Sequence, residues 1–368
     1  MKKKHISFEE LITDAASPIP RVTAEEAADM IQSDQITEYD RKLISSTVAE
    51  LVHTAIMFKN IRERPKITIF GSARTAPDHP DYIVCRDFAR RMTKLGYMVI
   101  TGAGPGIMAA GHEGAGRANS IGVSVELPFE AGVNEFIEQS DYLITYRYFF
   151  NRKLAFIREA DAVVLCPGGF GTMDEAFEVM TLLHTGRSMP VPLVLLDHPG
   201  STYWDDWLEF IKKTLLEPGH ISPKDMYLFR RFQDIDEAAD YIYNFYRRYH
   251  SMRYIGDKVV LRLNTPVPRK LLDDLREEYA EFLGDFGIQT YDEALPEEHD
   301  EPDLLNLPRL VIKANRKHPV EMYLFIRSLN RELIPSSTRR QDRPELQQNP
   351  RPKRVKVASG KSKAKAKK

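Results

Sequence analysis

Apolar residues recur along this chain in two rhythms, one helical and one of short unbroken runs. Residues 1–60 carry the helical rhythm. Thr23-Ala-Glu-Glu has the form of a capping box, and Leu43, Val48, Leu51 and Ile56 follow at helical spacing. The runs at 66–70, 97–100, 122–127, 162–165 and 192–196 are short and apolar, as buried strands are. Between them lie amphipathic stretches that predict helices near 81–95 (closed by Gly96), 107–119 and 151–159, one from Thr172, and more through about Tyr249. Strands alternating with helices predict an α/β fold, a doubly wound, Rossmann-like parallel sheet with helices on both faces.

Beyond Met252 the pattern changes. Strands are predicted at 258–263 and 309–313, helices at 269–286 and 319–333, and an acidic, proline-marked loop at 295–308. The expected organisation is an N-terminal helical extension (1–60), a doubly wound α/β domain (61–250), a small C-terminal α+β module (251–335) and a disordered basic tail (336–368).

Composition narrows the class. No apolar run approaches a membrane span, and the Met-Lys-Lys-Lys start leads into polar sequence, so a cytoplasmic protein without membrane contact is expected. Cys85 and Cys166 sit in apolar settings and are expected as reduced, buried thiols. The net charge of −1 hides a tail, 351–368, with nine basic residues and no acid; the remainder holds 43 basic against 53 acidic residues, a net of −10. A body of that charge is not a general nucleic-acid binder, and only the tail could touch nucleic acid, through charge alone.

Chemistry concentrates at three glycine turns, each after a strand: Gly71-Ser72, Gly102-Ala-Gly104-Pro-Gly106, and Cys166-Pro-Gly168-Gly169-Phe170-Gly171-Thr172-Met173-Asp174-Glu175. Ligands of open α/β sheets collect at the carboxyl ends of strands, and a helix N-terminus after a glycine turn is an anion site. The middle turn is spaced G-x-G-x-G and so departs from the G-x-G-x-x-G dinucleotide fingerprint. Glu175 beside an anion site points to chemistry on whatever adjoins a bound phosphate. Arg152-Lys153, on the helix before the third strand, puts cations within reach of it. No His/Cys set has metal-ligand spacing, so neither a metal nor another cofactor is expected.

The Pro167-Gly-Gly-x-Gly-Thr-x-x-Glu175 motif, with Arg152-Lys153 upstream and the Gly71-Ser-Ala and Gly102-x-Gly-x-x-Ile-Met108 loops, resembles the LOG ("Lonely Guy") phosphoribohydrolases, often mislabelled lysine decarboxylases. The resemblance covers about residues 66–215 and is similar in kind to the larger bacterial members. It implies a catalytic pair, Arg152 and Glu175. It also implies a nucleotide site lined by Lys153, residues 169–174 and Thr181, an AMP-like substrate, and a homo-oligomer of two or more subunits. Asn134 is a candidate base or ribose contact in a segment that matches the family poorly. Ala109 stands where larger members often carry glutamate. The implied reaction is hydrolysis of a nucleoside 5′-monophosphate, including cytokinin forms, to free base and ribose 5-phosphate. The alternative is a carrier on the same fold, holding a nucleotide or a phosphate-bearing cofactor such as molybdenum cofactor without turnover.

Overall fold

The computed structural model describes residues 22–126, 132–298, 300–313 and 318–331. The first helix, α1 (Ala24–Gln32), starts at the expected capping box: the Glu26 N–H donates to Thr23 Oγ1 at 3.1 Å, and the Thr23 N–H donates to the Glu26 carboxylate at 2.7 Å. After α2 (Glu38–Lys59) the alternation begins. It runs β1 (Lys66–Phe70), α3 (Pro80–Lys94), β2 (Met98–Thr101), α4 (Ile107–Ala115), β3 (Ser120–Val125), β4 (Leu143–Tyr146), α5 (Phe149–Arg158), β5 (Ala162–Leu165), α6 (Phe170–His184), β6 (Leu193–Leu196), α7 (Tyr203–Ile211), β7 (Phe229–Phe232) and α8 (Ile235–Phe245).

These seven strands form one parallel sheet in the order β4-β3-β2-β1-β5-β6-β7. The chain starts at the centre, winds outward through β2 to β4, then returns to place β5 against β1 and winds outward the other way. The direction reverses between β1 and β5, and a crevice at such a reversal is where open α/β sheets hold ligands. Period-2 alternation splits the strands between two cores. Ile67, Ile69, Val99, Val164 and Val194 pack with Phe88 of α3, Ala110 of α4 and Ile242 of α8. On the other face, Phe70, Ile100, Val163, Leu165 and Leu195 pack with Phe58 of α2, Phe156 of α5, Val179 of α6 and Trp204 of α7. The doubly wound class expected from the alternation is the class observed.

The remaining elements are β8 (Tyr249–Ile255), β9 (Lys258–Leu263), α9 (Arg269–Glu278), α10 (Ala280–Leu283), β10 (Gln289–Tyr291), β11 (Arg309–Lys313) and α11 (Pro319–Ser328). Their strands make an antiparallel sheet ordered β10-β11-β9-β8. Leu261, Tyr323 and Phe325 belong to the same continuous core as Leu183 of α6 and Trp204 of α7, which cover the first sheet, so the two sheets share one apolar interior. All described residues belong to one unit, Met1–Leu333. The expected basic tail lies outside the described residues, as do residues 1–21. Among the described residues no helix is long and apolar enough to cross a membrane. Cys85 and Cys166 are both free, buried thiols.

Four strands are absent from the sequence-based expectation. β4 and β7 are the edges of the parallel sheet, where one side of the strand lacks a partner and a strong apolar run is not needed. In β7, Phe-Arg-Arg-Phe has a charged middle because Arg230 stacks over Phe232 and Tyr241, while Arg231 pairs with the buried Asp197 at 2.9 Å. β8 and β10 are likewise edges, of the smaller sheet. The helix expected over 269–286 divides at Tyr279, whose φ of −109° and ψ of 22° leave the helical region.

The acidic loop is not a solvated one. Glu298 is 0% and Glu301 8% exposed, against Arg262 at 0% and Arg309 at 1%. Glu298 accepts from Arg262 Nε at 2.7 Å and Arg309 Nε at 3.0 Å, and Glu301 pairs with Arg262 Nη2. The carboxylates clamp the loop onto β9 and β11.

Candidate active site

All three glycine turns leave the carboxyl ends of neighbouring strands and touch one another. The Ser72 N–H donates to Pro167 O at 3.0 Å, and Ser72 O accepts from the Ile107 N–H at 3.0 Å, which ties the turn after β1 to the turns after β5 and β2. Gly106 has a φ of +65°, and a Cβ there would lie 2.3 Å from Ser72 O; only glycine admits both the backbone angle and the approach. A Cβ on Gly168 would lie 2.1 Å from Thr172 Oγ1 and 3.0 Å from Ser72 N. Thr172 is therefore buried beneath the turn rather than extended from it.

The remaining predicted turn residues divide by what they face. Gly71 makes room for Ile107, and Gly102 and Gly104 make room for the Met108 thioether, which sits 2.7 Å and 2.6 Å from where their Cβ atoms would be. Gly169 and Gly171 have nothing within 4 Å of that position and look onto open space. Gly169 is the N-cap of α6 and offers no side-chain cap; the Thr172 N–H already donates to Gly169 O at 3.1 Å, so the Phe170 and Gly171 N–H groups remain for a ligand. Phe170 is 97% exposed beside them, and Met173 is half-buried against the core.

Asn134 does not face outward. Its side-chain amide donates to Ala103 O and Gly104 O, each at 2.9 Å, and its N–H donates to Ala103 O at 2.8 Å. That grip holds Ala103 at a φ of +63°, a conformation costly for a residue with a Cβ. Below it His112 is wholly buried, bonded to Thr101 Oγ1 and Ile121 O, both at 3.1 Å. Burial pushes its pKa down to about 4 against the opposing pull of Ile121 and Asn134, so the ring is neutral at pH 7.

Arg152 and Lys153 start the second turn of α5, from which Lys153 reaches the carboxylates of α6. The Arg152 guanidinium reaches 3.8 Å from the Cβ position of Gly102 and stacks over Phe149 and Phe156, at 4.7 Å and 5.5 Å from the ring centres. Lys153 Nζ lies 3.0 Å from Asp174, 3.2 Å from Glu175 and 2.7 Å from Glu178. The direct cation on Glu175 is thus Lys153, where the sequence points to Arg152; α5 turns its two cations in different directions, and Arg152 acts on the carboxylate through space. Thr181 lies further along α6 on an exposed position.

Glu175 is 3% exposed, and its Oε2 is buried with no hydrogen-bond partner. Loss of hydration raises its pKa from 4.5 to about 7, and Glu178 adds repulsion; Lys153 and, more weakly, Arg152 oppose the rise. Cations within reach would by themselves hold this acid below its ordinary range, but desolvation outweighs both of them. Lys153 experiences the converse. Burial draws its pKa down, but Glu178, Asp174 and Glu175 outweigh it and hold the ammonium above its ordinary value.

Glu178 and Tyr203 were missed in the sequence. Glu178 was within reach, since it stands three residues after Glu175 on one helix face. Tyr203, whose OH donates to Gly168 O at 2.5 Å, is 35 positions from its partner and carries no motif.

A family model described as "Possible lysine decarboxylase" matches residues 105–242. Among curated proteins, the cytokinin riboside 5′-monophosphate phosphoribohydrolase LOG5 of Arabidopsis thaliana is 24% identical over 140 residues, covering 38% of this chain and 56% of LOG5. LOG7 of the same plant is 41% identical over 73 residues, 20% of this chain and 31% of LOG7. Over these residues the chain is similar to the LOG family. It spans about half the length of the first of these relatives and about a third of the second. The molybdenum cofactor carrier protein of Chlamydomonas reinhardtii is 18% identical, with a TM-score of 0.33 over 47% of this chain and 92% of that one. The molybdenum cofactor binding protein of Rippkaea orientalis is 16% identical, with a TM-score of 0.33 over 47% of this chain and 91% of that one. The 105–242 match begins in the second glycine turn and contains Arg152, Lys153 and the whole Cys166–Glu175 stretch.

Proposed function

We propose that this chain hydrolyses the N-glycosidic bond of nucleoside 5′-monophosphates to free base and ribose 5-phosphate. The observation that carries this reading is Glu175: a buried carboxylate with one oxygen unpartnered, beside Lys153, at the start of the helix whose open N–H groups suit a phosphate. With the 5′-phosphate on the Gly169–Gly171 face, the ribose lies next along α6. Cleavage sends the C1′–N electron pair out with the base and leaves an oxocarbenium-like sugar. Glu175 Oε2 then stabilises that cation, holds a ribose hydroxyl, or takes the proton of the water whose oxygen adds to C1′. Phosphate binding supplies the positioning.

A decarboxylase reading, which the family description invites, fits poorly. A Schiff-base lysine must be available as a neutral amine, and Lys153 is held as an ammonium by three carboxylates. The carrier reading has no use for a buried carboxylate of raised pKa. Incubating the purified chain with AMP, GMP, CMP and isopentenyl-AMP and measuring free base decides between hydrolysis and carriage; release of none of the bases rejects the hydrolase.

The roles assigned to Glu175 require its ionised form. Its pKa of about 7 in the free protein makes kcat/KM rise with pH through that value and level off above it. Lys153 lowers that pKa, so Lys153→Met is expected to move the inflection upward and to depress turnover most at and below pH 7. A profile unchanged in shape and position by Lys153→Met rejects this linkage.

We further infer a homo-oligomer. Val48, Val52 and Ile56 on α2, Phe149 and Phe150 on α5, and Phe170 and Phe177 on α6 are exposed apolar side chains on helices covering one face of the sheet, a concentration typical of association surfaces. Light scattering of the purified chain reads the particle mass, and a monomer across micromolar concentrations rejects the inference.

A further inference from the structure

We infer that Tyr203 is a positioning residue that aims the N–H groups of the Gly168–Gly169 turn toward the phosphate site at the start of α6. The inference rests on the reading that a phosphate binds there. Its geometric basis is the planar trans peptide, in which the carbonyl of one residue and the N–H of the next point in opposite directions. Pro167 O is held by the Ser72 N–H at 3.0 Å, which fixes where the Gly168 N–H points. Gly168 O is held by the Tyr203 OH at 2.5 Å, which fixes where the Gly169 N–H points. Nothing lies within 4 Å of the Cβ position of Gly169, so no packing on that side holds the peptide in place, and with glycines on both sides no Cβ restricts its rotation. The tyrosine hydroxyl is the contact that selects one orientation.

The segment that delivers Tyr203 is braced beyond what a surface connection needs. It joins β6 to α7. The His198 N–H donates to Asp81 at 3.0 Å, and the His198 ring Nδ1 meets the same carboxylate oxygen at 2.8 Å. Gln233 Nε2 donates to His198 O at 3.0 Å and Ser201 O at 3.1 Å, while Arg231 Nη2 donates to Ser201 O at 2.6 Å and Asp197 at 2.9 Å. Tyr203 itself packs edge-on against Trp204, which is wholly buried in the core. The ring is thus anchored independently of the bond its hydroxyl makes, and Tyr203→Phe removes that bond while keeping the ring and its packing.

The test uses the full chain and Tyr203→Phe, with ribose 5-phosphate as the calorimetric probe and AMP as the substrate. The expected result is about tenfold weaker ribose 5-phosphate binding and a matching rise in KM for AMP, about one neutral hydrogen bond's worth. The kcat, the pH inflection set by Glu175 and the melting temperature are expected to stay near those of the parent. Unchanged affinity for ribose 5-phosphate overturns the inference. So does a variant that loses kcat and thermal stability together, because the tyrosine is then merely structural. If the parent binds ribose 5-phosphate but releases no base from AMP, the hydrolase reading falls and the affinity comparison still decides the role of Tyr203. If the parent does not bind ribose 5-phosphate at all, the inference falls.

Discussion

Glu175→Gln is expected to lower base release by about 10²–10⁴-fold, the range general acid–base and charge-stabilising groups contribute, while making the fold more stable at alkaline pH. The two effects have one cause. Loss of hydration raises the carboxylate's pKa from 4.5 to about 7, so the native protein holds the neutral form more tightly than the unfolded chain does. The stability that this proton affinity contributes is full below pH 4.5 and is lost as pH rises through about 7. A shift of that size corresponds to about 3 kcal/mol. Glutamine never ionises, has nearly the same shape, and leaves Lys153 paired with Asp174 and Glu178. Urea unfolding at pH 5 and pH 8 should show the variant gaining on the parent between the two. A variant that keeps parental base release, or that loses ground to the parent from pH 5 to pH 8, contradicts the role assigned to this residue.

Glu298→Ala should have the largest effect on folding, about 3–5 kcal/mol of destabilisation, because removing one partner of a buried ion pair strands the other charge. Here Arg309 is left with backbone carbonyls alone, and Arg262 keeps only Glu301. Arg262 and Arg309 are 0% and 1% exposed and both donate to Glu298. The Leu295 N–H also loses its acceptor, at 3.1 Å. The two arginines and that N–H hold Glu298 below the ordinary carboxylate range against the upward push of burial. Its contribution is therefore present above its unfolded pKa of 4.5 and is lost as pH falls through the lower folded value, so the gap between parent and variant should narrow in acid. Denaturant unfolding at pH 7 checks the magnitude, and a change under about 1 kcal/mol would mean that water enters to solvate the arginines.

How much of the site was legible depends on the kind of signal each residue leaves. The Cys166–Glu175 stretch announces a strand, a turn and a helix because those elements have local requirements: an apolar run, small residues, and an amphipathic continuation. Lys153 could be named as a neighbour of the site, but not as the ion-pair partner of Glu175. Adjacent residues on a helix are turned about 100° apart, and which of the two cations meets α6 depends on how α5 is rotated on the sheet. The strands missed at the sheet edges lack the apolar run that burial on both faces demands of central ones. The burial of the acidic loop was illegible for a related reason. Composition assigns carboxylates to solvent, and only the arrival of Arg262 and Arg309 from two distant strands makes their burial tolerable.

By itself the sequence determined the alternation of strands and helices, hence a doubly wound sheet, and the three glycine turns at the strand ends. These follow from periodicity and from where a Cβ can be accommodated, both local properties. The tertiary structure alone decided that those turns meet at the reversal between β1 and β5, that Glu175 is dehydrated enough to titrate near 7, and that Tyr203 reaches Gly168. Each of these depends on which distant segments displace water from a group, and displacement of water is a property of the packed chain rather than of any stretch of it.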